Sequence, residues 1–154
     1  MAKKKLFTLS ENKRPPRRPK QEKSARVKEL PNYEDKPPFY IRGLKAGSKE
    51  EYWCSLALDI IEQQTGWGWA YQVPVYGGRT VRGGNVIDFL VYTPGRWTML
   101  DPKGRYWHTG IHEDQYEMQR VARKKGWNLI EWFTDETPTK QAVLEFLRRE
   151  LHVA

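Results

Sequence analysis

The alternation of hydrophobic and polar residues between positions 48 and 151 changes period several times, and each change predicts an element. Ser48 and Glu51 form a capping-box pattern ahead of apolar residues at helical spacing, which predicts a helix to about Gln64. Period-two alternation in β-branched and aromatic residues predicts strands, and apolar residues three to four positions apart predict helices. The other predicted elements are strands at 70–76, 86–92, 96–100 and 127–133, and helices at 113–126 and 137–150.

This order of elements predicts the fold class. A helix, three strands, a helix, a strand and a last helix are typical of an α/β domain, with a central mixed sheet of about four strands flanked by helices. We expect the domain to cover residues 37–154. Its first part is an ordered lead-in at 37–47, in which Phe39, Tyr40, Ile41 and Leu44 are expected to pack on the domain.

The two middle strands carry the candidate chemistry. The polar break at Pro94 and Gly95 predicts a tight turn, so opposed positions sum to 189 and Asp88 faces Asp101. Directly opposed side chains lie about 4.5–5.5 Å apart at Cβ. Lys103 shares the face of Asp101 because side chains alternate along a strand. Two carboxylates this close repel each other unless a cation lies between them, which points to a divalent-metal site for phosphodiester cleavage.

The positive charge is concentrated at the start of the chain. Residues 1–36 contain 12 Lys/Arg against 5 Asp/Glu, whereas the whole chain has a net charge of +8. This segment has several prolines and few large apolar residues, so we expect a disordered basic arm. Such an arm suits a polyanion, in particular nucleic acid, and Lys13, Arg14, Arg17 and Arg18 are its candidate contacts to the DNA backbone. A solubilising or assembly tail is the alternative interpretation.

The glycine-rich connection at 77–84 is a second basic segment. Arg79 and Arg82 add charge to paired glycines whose backbone amides could cradle phosphate. No strand-to-helix transition follows, so the segment is not a P-loop. A plain hairpin with bulges accounts for the same glycines, and contact with the DNA backbone is an added expectation.

Composition narrows the remaining classes of protein. The single cysteine, Cys54, excludes an internal disulfide and suits a reducing cytosol. No apolar run approaches the roughly 18 residues of a membrane helix, so we expect a soluble cytoplasmic protein without a membrane partner. His108 and His112 lack a third ligand nearby, which argues against zinc. Trp67 and Trp69, in a glycine-flanked turn, are candidates for stacking on bases.

Asp88, followed after twelve residues by Asp101-Pro102-Lys103, resembles the PD-(D/E)xK nuclease superfamily, which has the restriction-endonuclease-like fold. The segments GSKEEYW and GGNVIDF also look like small phage and bacterial nucleases of this superfamily. The resemblance spans residues 48–151. It implies that Asp88 and Asp101 hold Mg²⁺ or Mn²⁺, and that Glu51, the acid of the preceding helix, completes the metal site. It also implies that Lys103 positions or activates the attacking water, or stabilises developing negative charge.

Glu51 and Lys103 also fit purely structural roles. Glu51 can complete the helix cap by reaching back to the amide of Ser48. Lys103 can be a plain salt-bridge partner of Asp88, because a buried lone carboxylate is costly.

The second strand departs from the family's pattern at Pro102. Proline cannot donate to a sheet ladder, so the strand should end or become an edge there. Beyond this strand, the resemblance gives accessory polar roles to His108 and Gln119.

These patterns together predict a Mg²⁺-dependent DNA endonuclease acting on duplex or branched DNA. The alternative is a catalytically inactive nucleic-acid-binding or phage-assembly protein that keeps the nuclease fold. The sequence leaves open whether the protein forms a homodimer.

Overall fold

A computed structural model describes residues 36–104 and 112–154 of the chain. Its elements are β1 (Tyr40–Ile41), β2 (Leu44–Lys45), α1 (Lys49–Thr65), β3 (Trp69–Val75), β4 (Asn85–Val91), β5 (Thr98–Lys103), α2 (His112–Lys125), β6 (Asn128–Phe133) and α3 (Lys140–Glu150). The order predicted from α1 to α3 is confirmed. The predicted basic arm lies outside the described residues, apart from Lys36 at its end.

The central sheet has four strands in the order β3-β4-β5-β6. β3, β4 and β5 are antiparallel neighbours, whereas β5 and β6 run parallel. Phe89 pairs with Leu100 and Val91 with Thr98, so the predicted register, in which paired positions sum to 189, is confirmed. The predicted α/β class with a central mixed sheet is therefore confirmed.

Pro102 does not end β5, contrary to one of the two expectations from the sequence. The strand continues through Lys103 in its parallel ladder with β6, where Pro102 lies opposite Trp132. Its pairing with β4 covers Thr98 to Leu100 and does not include Pro102. This end of β5 is paired on one side only, so the missing N–H of Pro102 is tolerated.

Two hydrophobic clusters cover the two faces of the sheet. The first joins α1 and α3 to the sheet, and Leu58, Phe89 and Leu144 are at most 1% exposed within it. The second joins α2 to the opposite face, with Met99 and Val121 at its centre. None of the helices among the described residues is both long and apolar enough to cross a membrane.

The period-two alternation of β4 breaks at Asp88. Ile87 and Phe89 lie two positions apart and would share a face in a regular strand. Phe89 nevertheless packs in the first cluster and Ile87 in the second. On the neighbouring strand Gln72, between the paired residues Tyr71 and Val73, has a φ of 54°. The alternation of side chains between the two faces of the sheet is therefore interrupted at this point, and Asp88 lies at the interruption.

The lead-in before α1 forms a small hairpin of β1 and β2. Ile41 is 2% exposed in the first cluster, and the ring of Phe39 stacks on Tyr52 at a centroid distance of 5.0 Å. Tyr40 and Leu44 are 57% and 51% exposed, so the expectation that they pack on the domain is wrong. Adjacent residues of a strand face opposite sides, and burying Ile41 turns Tyr40 toward solvent.

Candidate active site

A cleft of about 660 Å³ opens where the start of α1, the bend in β4 and the end of β5 meet. Glu51, Asp88 and Asp101 line it together, as the sequence predicted. Lys103 lies beside this cleft, in a neighbouring depression of about 430 Å³ that Gln119 and Glu131 also line. Asp101 and Lys103 are in contact, but they line two different cavities.

The pKa of Asp88 departs strongly from the ordinary value of an aspartate. Burial, followed by the negative charges of Glu51 and Asp101, raises the pKa of Asp88 to about 7. The amide of Gln72 opposes this rise by donating from Nε2 to Asp88 Oδ1 over 3.2 Å. The ionised form of Asp88 is therefore destabilised at neutral pH, and an added cation would relieve it.

Glu51 is fixed at the first turn of α1. Its backbone N–H donates to Ser48 Oγ over 3.1 Å, which is the predicted half of the capping box. Its carboxylate accepts from the amide of Gly47 over 2.8 Å, so the predicted bond to the amide of Ser48 is wrong. The reason is steric: a Cβ on Gly47 would lie 3.0 Å from Glu51 Oε2, and glycine leaves that approach open.

Tyr71 holds the same carboxylate from the sheet side. Its hydroxyl donates to Glu51 Oε2 over 2.8 Å. Burial and then the hydrogen bond to Glu51 raise the pKa of Tyr71, so its hydroxyl stays protonated and keeps donating. Glu51 therefore has both a capping role and a fixed orientation toward the cleft.

Lys103 is 8% exposed and lies between two carboxylates. Its Nζ is 3.0 Å from Glu131 Oε1 and 3.5 Å from Asp101 Oδ2. Gln119 donates to the other oxygen of Glu131 over 3.4 Å. The ion pairs of Lys103 are thus with Asp101 and Glu131, and the interpretation of Lys103 as the salt-bridge partner of Asp88 is wrong.

Three polar residues of the site were missed in the sequence. Glu131 stands in the apolar strand NLIEWF directly beside Asp101 in the parallel ladder, and an acid in such a strand signals a buried partner. Tyr71 and Gln72 carry no comparable signal, because tyrosine and glutamine are common in strands with alternating polar positions. Their role depends on the bend at Asp88.

A divalent cation suits the donor set of the cleft. Among residues 36–104 and 112–154, no three His, Cys, Asp or Glu side chains are grouped closely enough to hold a metal by themselves. Mg²⁺, however, usually binds through one or two carboxylates together with water and substrate phosphate. Asp88 and Asp101 supply such oxygens, and a cation would offset the burial and the neighbouring negative charges that raise the pKa of Asp88.

The connection between β3 and β4 brings one predicted arginine to the site. Arg79 Nη2 donates to Gln72 Oε1 over 2.9 Å, which extends the hydrogen bonds from Asp88 toward solvent. Arg82 is exposed and does not belong to the hydrogen bonds that link Arg79, Gln72 and Asp88. The remaining predicted residues, Lys13, Arg14, Arg17, Arg18 and His108, lie outside the described residues.

Comparisons with protein-family models, with curated proteins and with solved structures find no match to this chain. The resemblance to PD-(D/E)xK nucleases therefore stays a prediction from the sequence motif and the order of elements.

Proposed function

We propose that this protein is a metal-dependent endonuclease of the PD-(D/E)xK type that hydrolyses phosphodiester bonds in DNA. The observation that supports it best is the convergence of Glu51, Asp88 and Asp101 on one cleft, with the pKa of Asp88 raised to about 7. Burial and the negative charges of Glu51 and Asp101 make ionised Asp88 costly, which is the situation expected where a cation binds.

Each side chain has a proposed role. Asp88 and Asp101 would hold Mg²⁺ or Mn²⁺, which when bound supplies Lewis-acid stabilisation of phosphate charge. Lys103, whose ammonium is fixed between Asp101 and Glu131, neutralises negative charge that develops on the phosphate. Glu51, held by Tyr71 and Gly47, keeps a third negative charge near Asp88 and strengthens cation binding.

DNA is the proposed substrate because the chain carries its positive charge outside the acidic cleft. The arm at 1–36 has a net charge of +7, and Arg79 and Arg82 extend from the connection beside Asp88. Such residues neutralise backbone phosphates, so affinity should fall steeply with salt. Deleting residues 1–36 should weaken binding and flatten that dependence.

Cleavage of supercoiled plasmid and of branched DNA with Mg²⁺ tests the proposal. Asp88→Asn and Lys103→Met should each lower the cleavage rate by about 100-fold or more. Glu145→Gln, a carboxylate-to-amide change at an exposed position of α3, is the matched control and should leave the rate unchanged.

Two outcomes would contradict the enzyme. One is equal cleavage by the wild type, Asp88→Asn and Lys103→Met, which would trace the activity to another site or to a contaminant. The other is DNA binding by the wild type without cleavage of any DNA form in Mg²⁺ or Mn²⁺. That result would favour the inactive nucleic-acid-binding or assembly protein.

A further inference from the structure

An aromatic–basic surface, formed by Tyr92, Arg96, Trp97, Lys125 and Trp127, lies at the other end of the β4–β5 hairpin from Asp88. The turn between β4 and β5 supplies the first three residues. The last residue of α2 and the connection from α2 to β6 supply the other two. It encloses a shallow depression of about 450 Å³. No residue of this surface has a role in the proposed active site.

The aromatic rings of this surface are in contact with one another yet open to solvent. The ring centroids of Tyr92 and Trp97 are 4.9 Å apart, and those of Trp97 and Trp127 are 5.3 Å apart. Trp97 is 44% exposed and Tyr92 is 38% exposed. Trp69, which the sequence suggested for base stacking, is only 3% exposed in the first hydrophobic cluster. Trp67 is half-buried against the same cluster. The rings of Trp97 and Tyr92 are, by contrast, open for stacking.

Hydrogen bonds fix the two segments against each other. Arg96 Nε donates to the carbonyl of Gly126 over 2.9 Å, and the amide of Asn128 donates to the carbonyl of Trp97 over 2.8 Å. The first bond joins the hairpin turn to the connection before β6, and the second joins it to the first residue of β6. The rings are thus held in position before any ligand arrives, which lowers the entropic cost of binding.

The charge of this surface is positive. The residues lining its depression include Arg96 and Lys125 and no acid. The ammonium of Lys125 lies 5.5 Å from the ring centre of Trp127 and 4.9 Å from that of Tyr76, which is itself 42% exposed. Cations interleaved with open aromatic rings suit a ligand that has both flat faces and negative charges.

We propose that the aromatic–basic surface binds single-stranded DNA, with bases stacked on Trp97 and Tyr92 and phosphates at Arg96 and Lys125. Stacking on exposed rings requires unpaired bases, which a duplex does not offer. Trp97 precedes Asp101 by four residues, which corresponds to about 13 Å along β5. A strand leaving the cleft could therefore reach this surface. This inference rests on the proposed function by naming the part of a branched substrate that is held.

The chain's own arm is a less suitable occupant. Its proline-rich segment at 13–19 contains four Lys/Arg and no acid, so Arg96 and Lys125 would repel it. Binding of that segment is accordingly an outcome against the proposal.

Binding of a fluorescent twelve-nucleotide thymidine strand to the full chain in EDTA tests the proposal without cleavage. A strand of equal length without bases is the reference for phosphate contacts alone, including those of the arm. Trp97→Leu should weaken binding of the thymidine strand by about fivefold or more and leave the baseless strand unaffected. Trp97→Phe, which keeps an aromatic face, should retain most of the affinity.

Two further variants keep the test decisive. Lys125→Glu removes no buried apolar surface and should weaken binding of both strands, even if Trp97→Leu fails to fold. Tyr40→Leu changes an aromatic side chain that is 57% exposed on β1 and should have no effect.

The proposal is overturned if Trp97→Leu binds the thymidine strand as Tyr40→Leu does, or if it weakens both strands equally. It is also overturned if a peptide of residues 13–19 binds this surface and the thymidine strand does not. Loss of cleavage in Asp88→Asn with unchanged strand binding separates the active site from this surface. Strand binding that depends on Trp97 without any cleavage by the wild type would keep this inference and remove the enzyme.

Discussion

Replacing Asp88 with asparagine should stabilise the metal-free protein at pH 8 while it removes the proposed activity. The pKa of Asp88 rises from 3.8 to about 7 on folding, first through burial and then through Glu51 and Asp101. A tenfold change in an acidity constant corresponds to about 1.4 kcal/mol, so the full effect has a ceiling of about 4 kcal/mol. Because Asp88 is partly exposed and solvent screens its charge, we expect about 2 kcal/mol.

The direction of the pH dependence follows from proton binding. Below about pH 4, Asp88 is protonated in both the folded and the unfolded chain and has no effect on stability. Between about pH 4 and pH 7, the folded chain keeps a proton that the unfolded chain has lost, so the free energy of unfolding falls as the pH rises. Above about pH 7 the cost is complete and constant.

Urea unfolding followed by tryptophan fluorescence in EDTA, from pH 4 to pH 8, measures this effect. The difference in unfolding free energy between Asp88→Asn and the wild type should grow by about 2 kcal/mol over this range. Glu145→Gln should track the wild type, since its side chain is exposed on α3. Mg²⁺ should stabilise the wild type and leave Asp88→Asn unchanged. Parallel curves for the wild type and Asp88→Asn would refute the claim that burial and neighbouring charges raise the pKa of Asp88.

Three further substitutions test the surroundings of the site by urea unfolding. Glu131→Gln removes the closer of the two ion-pair partners of Lys103 and should cost about 1–3 kcal/mol. Gly84→Ala should cost about 3 kcal/mol, because its Cβ would lie 2.0 Å from the carbonyl oxygen of Gly78. Ser48→Ala removes the hydroxyl that caps α1 and should cost about 1 kcal/mol. A loss below about 0.3 kcal/mol in any of the three would contradict the corresponding contact.

The sequence predicted the element order, the register of the central hairpin and the placement of Asp101 and Lys103 on one side of their strand. These features depend on local rules: a proline-glycine turn fixes which residues oppose each other, and side-chain alternation fixes which share a face. The start of α1 followed for the same reason, because Ser48 and Glu51 are three residues apart and cap one helix.

The surroundings of Asp88 depend on interactions that local rules do not include. The bend at Gln72 places Ile87 and Phe89 in different hydrophobic clusters, although alternation alone would put them together. Glu131 contacts Lys103, which is 28 positions earlier in the chain, because β5 and β6 are paired in parallel. The exposure of Trp97 depends on how the α2–β6 connection meets the hairpin turn.

The cost of ionising Asp88 is itself an argument for a functional site. A purely structural carboxylate in this position would be expected to form an ion pair, yet the ammonium of Lys103 is paired with Asp101 and Glu131. The hydrogen bond from Gln72 and the charge of Arg79 lower the pKa of Asp88, yet it remains near 7. An asparagine would fill the same space and keep a hydrogen bond to Gln72 without that cost. A residue that destabilises the folded chain at neutral pH is most simply accounted for if a ligand of opposite charge completes the cleft.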